Sequence, residues 1–369
     1  MSLKIKDITD YMETIAPTSY AMEWDQVGLQ IGSLKKEVQR IMITLEINFD
    51  VLEEAANSGV DLIISHHPLI FKPLDRIDFE GSKGAMIQKI IQADLHVYVC
   101  HTNMDVAPKG LNQYIAEKIG LKDIEILSPS DVKPFCKFIV YVPGTHREKI
   151  IEAIHKGGGG HIGNYSHCTF GTAGIGTFKP QEGAAPFLGK KNELENVEEN
   201  KIETIIRRKD IPKLLKTVRD VHPYEEVAYD LYPLEIAEEN VGLGRIGKLT
   251  RVRSLETFIK QLKPMLQLNE VRYVGDLHRE ISKVAILNGS GGDFIQEAKK
   301  AGADCFITGD VKYHEAQDAM DAGMPIVDIG HYESEIIFRD LIKNQLETQF
   351  GDSLEIYLAG NLKNPFRTI

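Results

Sequence analysis

Two segments of this chain, 243 positions apart, follow one pattern, and that internal repeat limits the fold more than any other feature of the sequence. Residues 40–65 read RIMITLEINFDVLEEAANSGVDLIIS, and residues 283–308 read KVAILNGSGGDFIQEAKKAGADCFIT. Without a gap, Asp50 aligns with Asp293, Glu54 with Glu297, Ala55 with Ala298, Gly59 with Gly302 and Asp61 with Asp304. Each copy is an apolar strand, a turn, an amphipathic helix, a glycine-containing stop and a second apolar strand. Strands that are apolar throughout are covered on both faces, so each copy reads as a βαβ unit of a parallel sheet. Shared composition would account for some of this likeness, and parallel-sheet elements follow on either reading.

The pattern continues after each copy. SKGAMIQKIIQAD predicts a helix before strand 96–101, and YHEAQDAMDAG predicts one before strand 325–331. Between the halves lies a segment of different character with its own β-α-β-β-α-β order: FCKFIVYVP, HREKIIEAIHK, YSHCTFGTAGIGTF, KIETIIRR, DIPKLLKTVRDV and EEVAYDLYPL. That order is expected of a ferredoxin-like α+β module. The charged stretch GKKNELENVEENK reads as a solvated, mobile loop. The expected architecture is a split α/β domain of two related halves, 1–126 and 242–369, with an inserted α+β domain at 127–241.

Composition narrows the partners. The chain has 369 residues, 43% of them hydrophobic, as in an ordinary globular protein. Its 43 Lys and Arg against 54 Asp and Glu leave a formal charge of −11, with no basic surplus to neutralise nucleic-acid phosphates. Nucleic acid is therefore an unexpected ligand, although a nucleotide held by local donors or metal ions is compatible with this balance. No apolar run is long enough to predict a membrane span, and the N-terminus carries acidic residues where a signal peptide needs an apolar core. Four dispersed cysteines, Cys100, Cys136, Cys168 and Cys305, make no CxxC pair. Neither a disulfide framework nor a structural zinc site is expected, and a reducing cytoplasm is the simplest setting.

In open α/β sheets, sites form beyond the carboxyl ends of the strands. His66 and His67 follow strand DLIIS. His101 follows VYVC, with Asp105 four residues on. Gly309 and Asp310 follow CFIT, with His314 beyond, and His331 follows PIVDIG, with Glu335 four residues on. Singly, each has a plain structural explanation: a surface or capping histidine, a helix-start aspartate, a first-turn glutamate favoured by the helix dipole. Together, four strand ends place imidazoles and carboxylates at one edge of the sheet. His331 and Glu335 share a face if a helix begins near 331. Such donors without thiolate suit Zn²⁺, Mn²⁺, Fe²⁺, Co²⁺ or Ni²⁺, and their number suits two ions sharing a carboxylate.

These segments also resemble a known family. Ser65-His66-His67-Pro68-Leu69-Ile70-Phe71, His101-Thr102-Asn103-Met104-Asp105 and Gly330-His331-Tyr332-Glu333-Ser334-Glu335 look like motifs of the NIF-three-like family, whose members are often labelled GTP cyclohydrolase I type 2 homologues. Trp24-Asp25-Gln26-Val27-Gly28-Leu29-Gln30 and Gly309-Asp310-Val311-Lys312-Tyr313-His314-Glu315 match as well. The insert, with its VHPYEEVAYDLYPL segment, is similar to the PII and CutA-like middle domain of the long bacterial members. The resemblance implies a ring-shaped homohexamer with two divalent metal ions per chain. It implies His66, His67, Asp105, His331 and Glu335 as metal ligands, with Glu335 as the bridge. His101 and His314, the expected proton-shuttling catalytic residues, and Asp310 would lie nearby. If the family label holds, metal-activated water would attack the guanine ring of a nucleotide. A non-enzymatic metal-binding regulatory or interaction scaffold is the alternative.

Other segments stay open. Asn288-Gly289-Ser290-Gly291-Gly292-Asp293 reads as a strand-to-helix turn capped by Asp293, or as an anion cradle. The run Gly157 to Gly160 followed by His161 reads as a helix-ending linker. Trp24 packs or lines a cavity mouth, and Glu46 is a strand-end polar group at the same edge.

Overall fold

The computed structural model describes residues 2–367. The chain divides into two compact units, one formed by residues up to 130 together with those from 240 onward, the other by 131–239.

In chain order the strands of the first unit begin with β1 (Gly28–Ile31), β2 (Arg40–Thr44), β3 (Leu62–Ser65), β4 (His96–Val99) and β5 (Lys122–Pro129). The second unit contributes β6 (Phe135–Pro143), β7 (Thr169–Phe178), β8 (Glu195–Arg207) and β9 (Tyr229–Pro233). The chain then returns to the first unit with β10 (Gly242–Ser254), β11 (Arg272–Val274), β12 (Glu280–Ser290), β13 (Cys305–Gly309), β14 (Ile326–Asp328) and β15 (Glu355–Leu358).

The first unit is built on two sheets, not one. The five-stranded sheet runs β1-β4-β3-β2-β15 and the six-stranded sheet runs β11-β14-β13-β12-β10-β5. The repeat holds at the level of strand register. Ile41 pairs with Leu62 in parallel β2 and β3, and the pair 243 positions on, Val284 with Cys305, joins parallel β12 and β13. A third parallel strand follows in each sheet, β4 or β14, flanked by a short antiparallel strand, β1 or β11. Gly59 and Gly302 take φ +62° and +77° where the two helices stop, a left-handed turn that glycine makes without a Cβ clash. Each sheet also takes its outer strand from the other half of the chain. β15 runs parallel to β2, and β5 pairs antiparallel with β10. The expected boundary after 126 cuts through β5, because β5 remains hydrogen-bonded to β10 as far as Pro129.

Each sheet buries its helices over its own core. Met42, Ile63 and Val97 pack with Val51, Leu52, Ile87 and Ile90. Ala285, Phe306 and Ile326 pack with Ile295, Ala298 and Ala319. Cys100 and Cys305 are buried, as packing residues should be, and every cysteine is free. Arg245 on β10 is an unexpected core residue, 2% exposed. Its guanidinium donates to the carbonyls of Ala107, Gly242 and Gly244 and to Gln113 Oε1.

The second unit has the strand–helix–strand–strand–helix–strand order, with sheet order β7-β8-β6-β9 and all neighbours antiparallel. Helices Arg147–Lys156 and Ile211–Arg219 bury Ile150, Ile154, Leu214 and Val218 against Phe138, Val140 and Ile202. The expected charged loop is only partly a loop. Glu195–Asn200 extends β8 and pairs with Ala173–Phe178 of β7, and Glu195–Glu198 alternate half-buried and exposed as a strand of a hairpin does. No helix among the described residues is long and apolar enough to cross a membrane.

Candidate metal centre

The carboxyl ends of β3, β4, β12, β13 and β14 supply the polar side chains that meet in the first unit. β3, β4, β13 and β14 are buried along their whole length and β12 from Val284 to Gly289, and the chain turns polar where the strands end. His66 and His67 follow β3 directly, and His66 is fully buried. His101 follows β4, and Asp105 lies in the short helix Thr102–Val106. Gly330, at φ +87°, turns the chain after β14, so that helix His331–Glu335 starts at the histidine. His331 Nε2 therefore lies 3.0 Å from Glu335 Oε2 across one helical turn.

Glu335 is the centre of the group. Its Oε2 also lies 2.9 Å from His67 Nε2, while its Oε1 accepts a hydrogen bond from Asn288 Nδ2 at 3.1 Å. The same Asn288 nitrogen donates to Asp105 Oδ1 at 2.9 Å. His66 Nδ1 donates to the Cys100 carbonyl at 2.9 Å, which leaves Nε2 facing the carboxylates. That Nε2 is buried with no hydrogen-bond partner, 3.7 Å from both Asp105 Oδ1 and Glu335 Oε1. This distance is too long for a hydrogen bond.

Two sets of three residues converge. His66, His67 and His101 each present one donor atom within 4.8 Å of the others, and so do His67, His331 and Glu335. Both histidines at the ends of third parallel strands are oriented by carboxylates through Nδ1. His101 pairs with Asp25 Oδ1 at 3.0 Å, and His331 with Asp310 Oδ2 at 2.8 Å. Asp25 Oδ2 in turn accepts from Thr102 N and Oγ1.

The electrostatics follow from this crowding. Burial works against a charged His66 ring, yet Asp105 and Glu335 outweigh it and push the ring up to about 9. The hydrogen bond to Glu335 carries His331 to about 9 against its burial, with help from Asp310. Burial would neutralise Glu335, but hydrogen bonds from the surrounding imidazoles, His331 foremost, hold it well below the usual carboxylate range. Burial raises Asp105, with His66 opposing and Glu335 adding to the rise. Anionic oxygens and imidazoles thus share buried space around an unpaired nitrogen, which is the donor set and the orphaned atom that a divalent cation satisfies.

A cleft of about 1030 Å³ opens on this group, lined among others by Glu46, His67, Arg272, Asp310, His331 and Arg367. Trp24, 56% exposed, has its ring centroid 5.7 Å from Phe71 and 6.1 Å from His101, so it stands at the surface beside the group instead of in the core.

All five residues named as metal ligands, and His101, are brought together. His314 is not. It is exposed on helix Tyr313–Asp321 against the Tyr313 ring and makes no hydrogen bond or ion pair among the described residues. The Glu315–Lys312 capping box fixes the start of that helix. The glycine-rich turn is not a free anion cradle either. Asn288 N and Gly289 N are taken by Asn112 Oδ1 and Ser334 Oγ, and the Glu315 carboxylate crowds Gly292. Nor does Asp293 cap the helix: a 3₁₀ turn, Gly292–Phe294, precedes helix Ile295–Lys300 without a side-chain cap. Sequence reasoning missed the roles of Asn288 and Asp25. Asn288 was legible as a polar residue ending the apolar strand VAIL, and Asp25 as an acid within a motif of otherwise unassigned purpose.

Comparison with known proteins agrees with the motifs. The family described as Duf34/NIF3 (NGG1p interacting factor 3) matches residues 3–365. A GTP cyclohydrolase 1 type 2 homolog from Halalkalibacterium halodurans is 44% identical over 365 residues, covering 98% of each chain. A protein of the same name from Bacillus subtilis is 41% identical over 368 residues, covering 99% of this chain and 98% of its own. Among solved structures, a Bacillus cereus protein related to NIF3 superposes with a TM-score of 0.79 at 40% identity over the whole of both chains. Staphylococcus aureus protein SA1388 gives 0.74 at 30% identity, covering 100% of this chain and 99% of its own.

Proposed function

Since this chain belongs to the Duf34/NIF3 family, we propose that it is a hydrolase in which water activated by two divalent metal ions attacks a nucleotide or related small molecule. The observation that carries this reading is His66 Nε2, buried, unpaired and 3.7 Å from two carboxylate oxygens that themselves belong to opposite halves of the chain. Donor atoms of one tetrahedral ion stand roughly 3.4 Å apart, given ligand bonds of about 2.0–2.2 Å. His66, Asp105 and Glu335 Oε1 would hold one ion, and His67, His331 and Glu335 Oε2 the other, so Glu335 bridges. When bound, the ions supply Lewis acidity and a water that ionises near neutral pH.

The chain's own residues supply the rest. Asp310 fixes the ring of His331, and Asn288 holds Asp105 and Glu335 in register. His101, oriented by Asp25 through Nδ1, keeps Nε2 available to move a proton. Arg367 lines the cleft and offers positive charge to an anionic substrate, while the neighbouring Arg272 is paired with the buried Asp328. Imidazole and carboxylate donors suit Zn²⁺, Mn²⁺, Fe²⁺, Co²⁺ or Ni²⁺. The reading extends to a cytoplasmic homohexamer and a ferredoxin-like inserted domain at 131–239.

The test is metal analysis joined to a substrate screen. Reconstituted protein should bind two ions per chain and turn over a member of a panel of nucleotides, cyclic phosphodiesters and phosphomonoesters, with activity lost in Asp105→Ala and Glu335→Ala. Less than one ion per chain would sink the reading. Two ions without turnover would favour the non-enzymatic scaffold.

A further inference from the structure

The second unit gathers another group of imidazoles. His155 stands in the last turn of helix Arg147–Lys156, and the glycine-rich segment that follows returns His161 and His167 to it. The His155 ring centroid lies 3.7 Å from that of His167, nearly stacked, and 5.1 Å from that of His161. The returning segment is fixed by its backbone: Gly160 N donates to Ile205 O and Cys168 N to Gly160 O, each at 2.9 Å. His167 takes φ +59°, a left-handed conformation uncommon outside glycine. Glu152, one helical turn before His155, puts Oε1 3.6 Å from His167 Nε2.

Two observations ask for a ligand here. His155 Nδ1 is buried and has no hydrogen-bond partner, a costly state for an imidazole nitrogen. Stacked rings at this spacing also repel one another when charged: loss of solvent, then His167 and His161, lowers the pKa of His155. The neutral ring keeps a lone pair, which is the form that binds metal.

We propose that His155, His161 and His167, with Glu152, form a site for one borderline divalent transition ion such as Zn²⁺, Ni²⁺ or Cu²⁺. Imidazole and carboxylate donors select that class. The 3.6 Å between His167 Nε2 and Glu152 Oε1 is long for a hydrogen bond and close to the donor spacing around one tetrahedral ion. The nitrogens of the three rings are spread more widely than those of the first unit's two groups, so uptake requires the stacked pair to open. His167 is exposed, its Nδ1 3.0 Å from Ser166 Oγ, so opening the stack breaks only that local contact and the approach to Glu152. A cavity of about 500 Å³, lined in part by Gly158, His161 and Gly163, adjoins the His161 side of the group. The bound ion adds side-chain ties from His161 and His167 to the helix, beyond the backbone bonds that already hold the segment.

The experiment compares Zn²⁺ content and affinity of the full chain with those of the His155→Ala/His167→Ala variant, the first unit being intact in both. The variant should retain one ion per chain fewer, whatever number the first unit holds. Equal content in the two proteins overturns the site. Should the double variant misfold, His167→Ala alone, in an exposed loop, and Glu152→Gln carry the test. Each should weaken one class of Zn²⁺ binding at least tenfold, and unchanged affinity in both refutes the proposal. Zinc-edge anomalous diffraction from loaded crystals should place a peak among the three rings, and a peak confined to the first unit also refutes it.

Discussion

Glu335 Oε2 lies 2.9 Å from His67 Nε2, although 268 residues separate the two in the chain. The contact joins the end of a strand in one sheet to a helix that leaves the other. The same two sheets also exchange outer strands, β5 and β15, between the halves of the chain. One carboxylate, reached by three imidazoles, holds the group together.

Replacing Glu335 tests that dependence directly. Glu335→Gln keeps the volume and removes the charge, so His66, His67 and His331 lose their shared counter-ion. Metal content should fall from two ions per chain towards none, read by elemental analysis after dialysis. Two ions retained at full affinity would contradict the bridging role.

Asn288 bridges Asp105 and Glu335 from behind. Outer partners of metal ligands are commonly worth about 10–100-fold in affinity. Asn288→Ala should weaken metal binding by roughly that factor while the far-ultraviolet circular dichroism stays unchanged. Calorimetric titration reads the difference.

Asp25 acts on His101 and not on the other imidazoles. Asp25→Asn leaves metal stoichiometry unchanged and lowers kcat by about 10²-fold or more, at the low end of what a positioned proton-transfer group contributes. The pH profile of kcat should shift with it. A change in metal content instead would place His101 among the ligands.

The pH dependence of metal uptake has a definite sign. In the metal-free chain His66 and His331 titrate near 9, above the ordinary 6.5. Their protonated forms stabilise the metal-free fold fully below about pH 6.5, and that contribution is lost as pH rises through about 9. A bound ion must displace these protons, so affinity rises across the same window and roughly two protons are released per chain near pH 7. Calorimetry in buffers of different ionisation enthalpy counts them.

Arg245 makes a stability prediction independent of metal. Arg245→Ala removes the guanidinium donor from the buried carbonyls of Gly242 and Gly244 and leaves Ala107 O only its bond from Gly110 N, and each unpaired buried group costs about 1–3 kcal/mol. Chemical denaturation should show a loss of roughly 3–5 kcal/mol, the large range reserved for such sites.

The sequence by itself determined the local elements and the chemistry at their ends. The apolar runs, the helical periodicity and Gly59 and Gly302 specify two βαβ units, because strand and helix formation answer to nearby residues. The histidines and carboxylates at strand ends were legible for the same reason. Tertiary structure alone decided that the halves form two sheets, that β5 and β15 cross between them, and that His314 stays outside the cluster. It also brought Asn288 and Asp25 into the site and buried Arg245. Those outcomes depend on long-range backbone pairing and on which carbonyls a distant side chain can reach, and neither leaves a periodic trace along the chain.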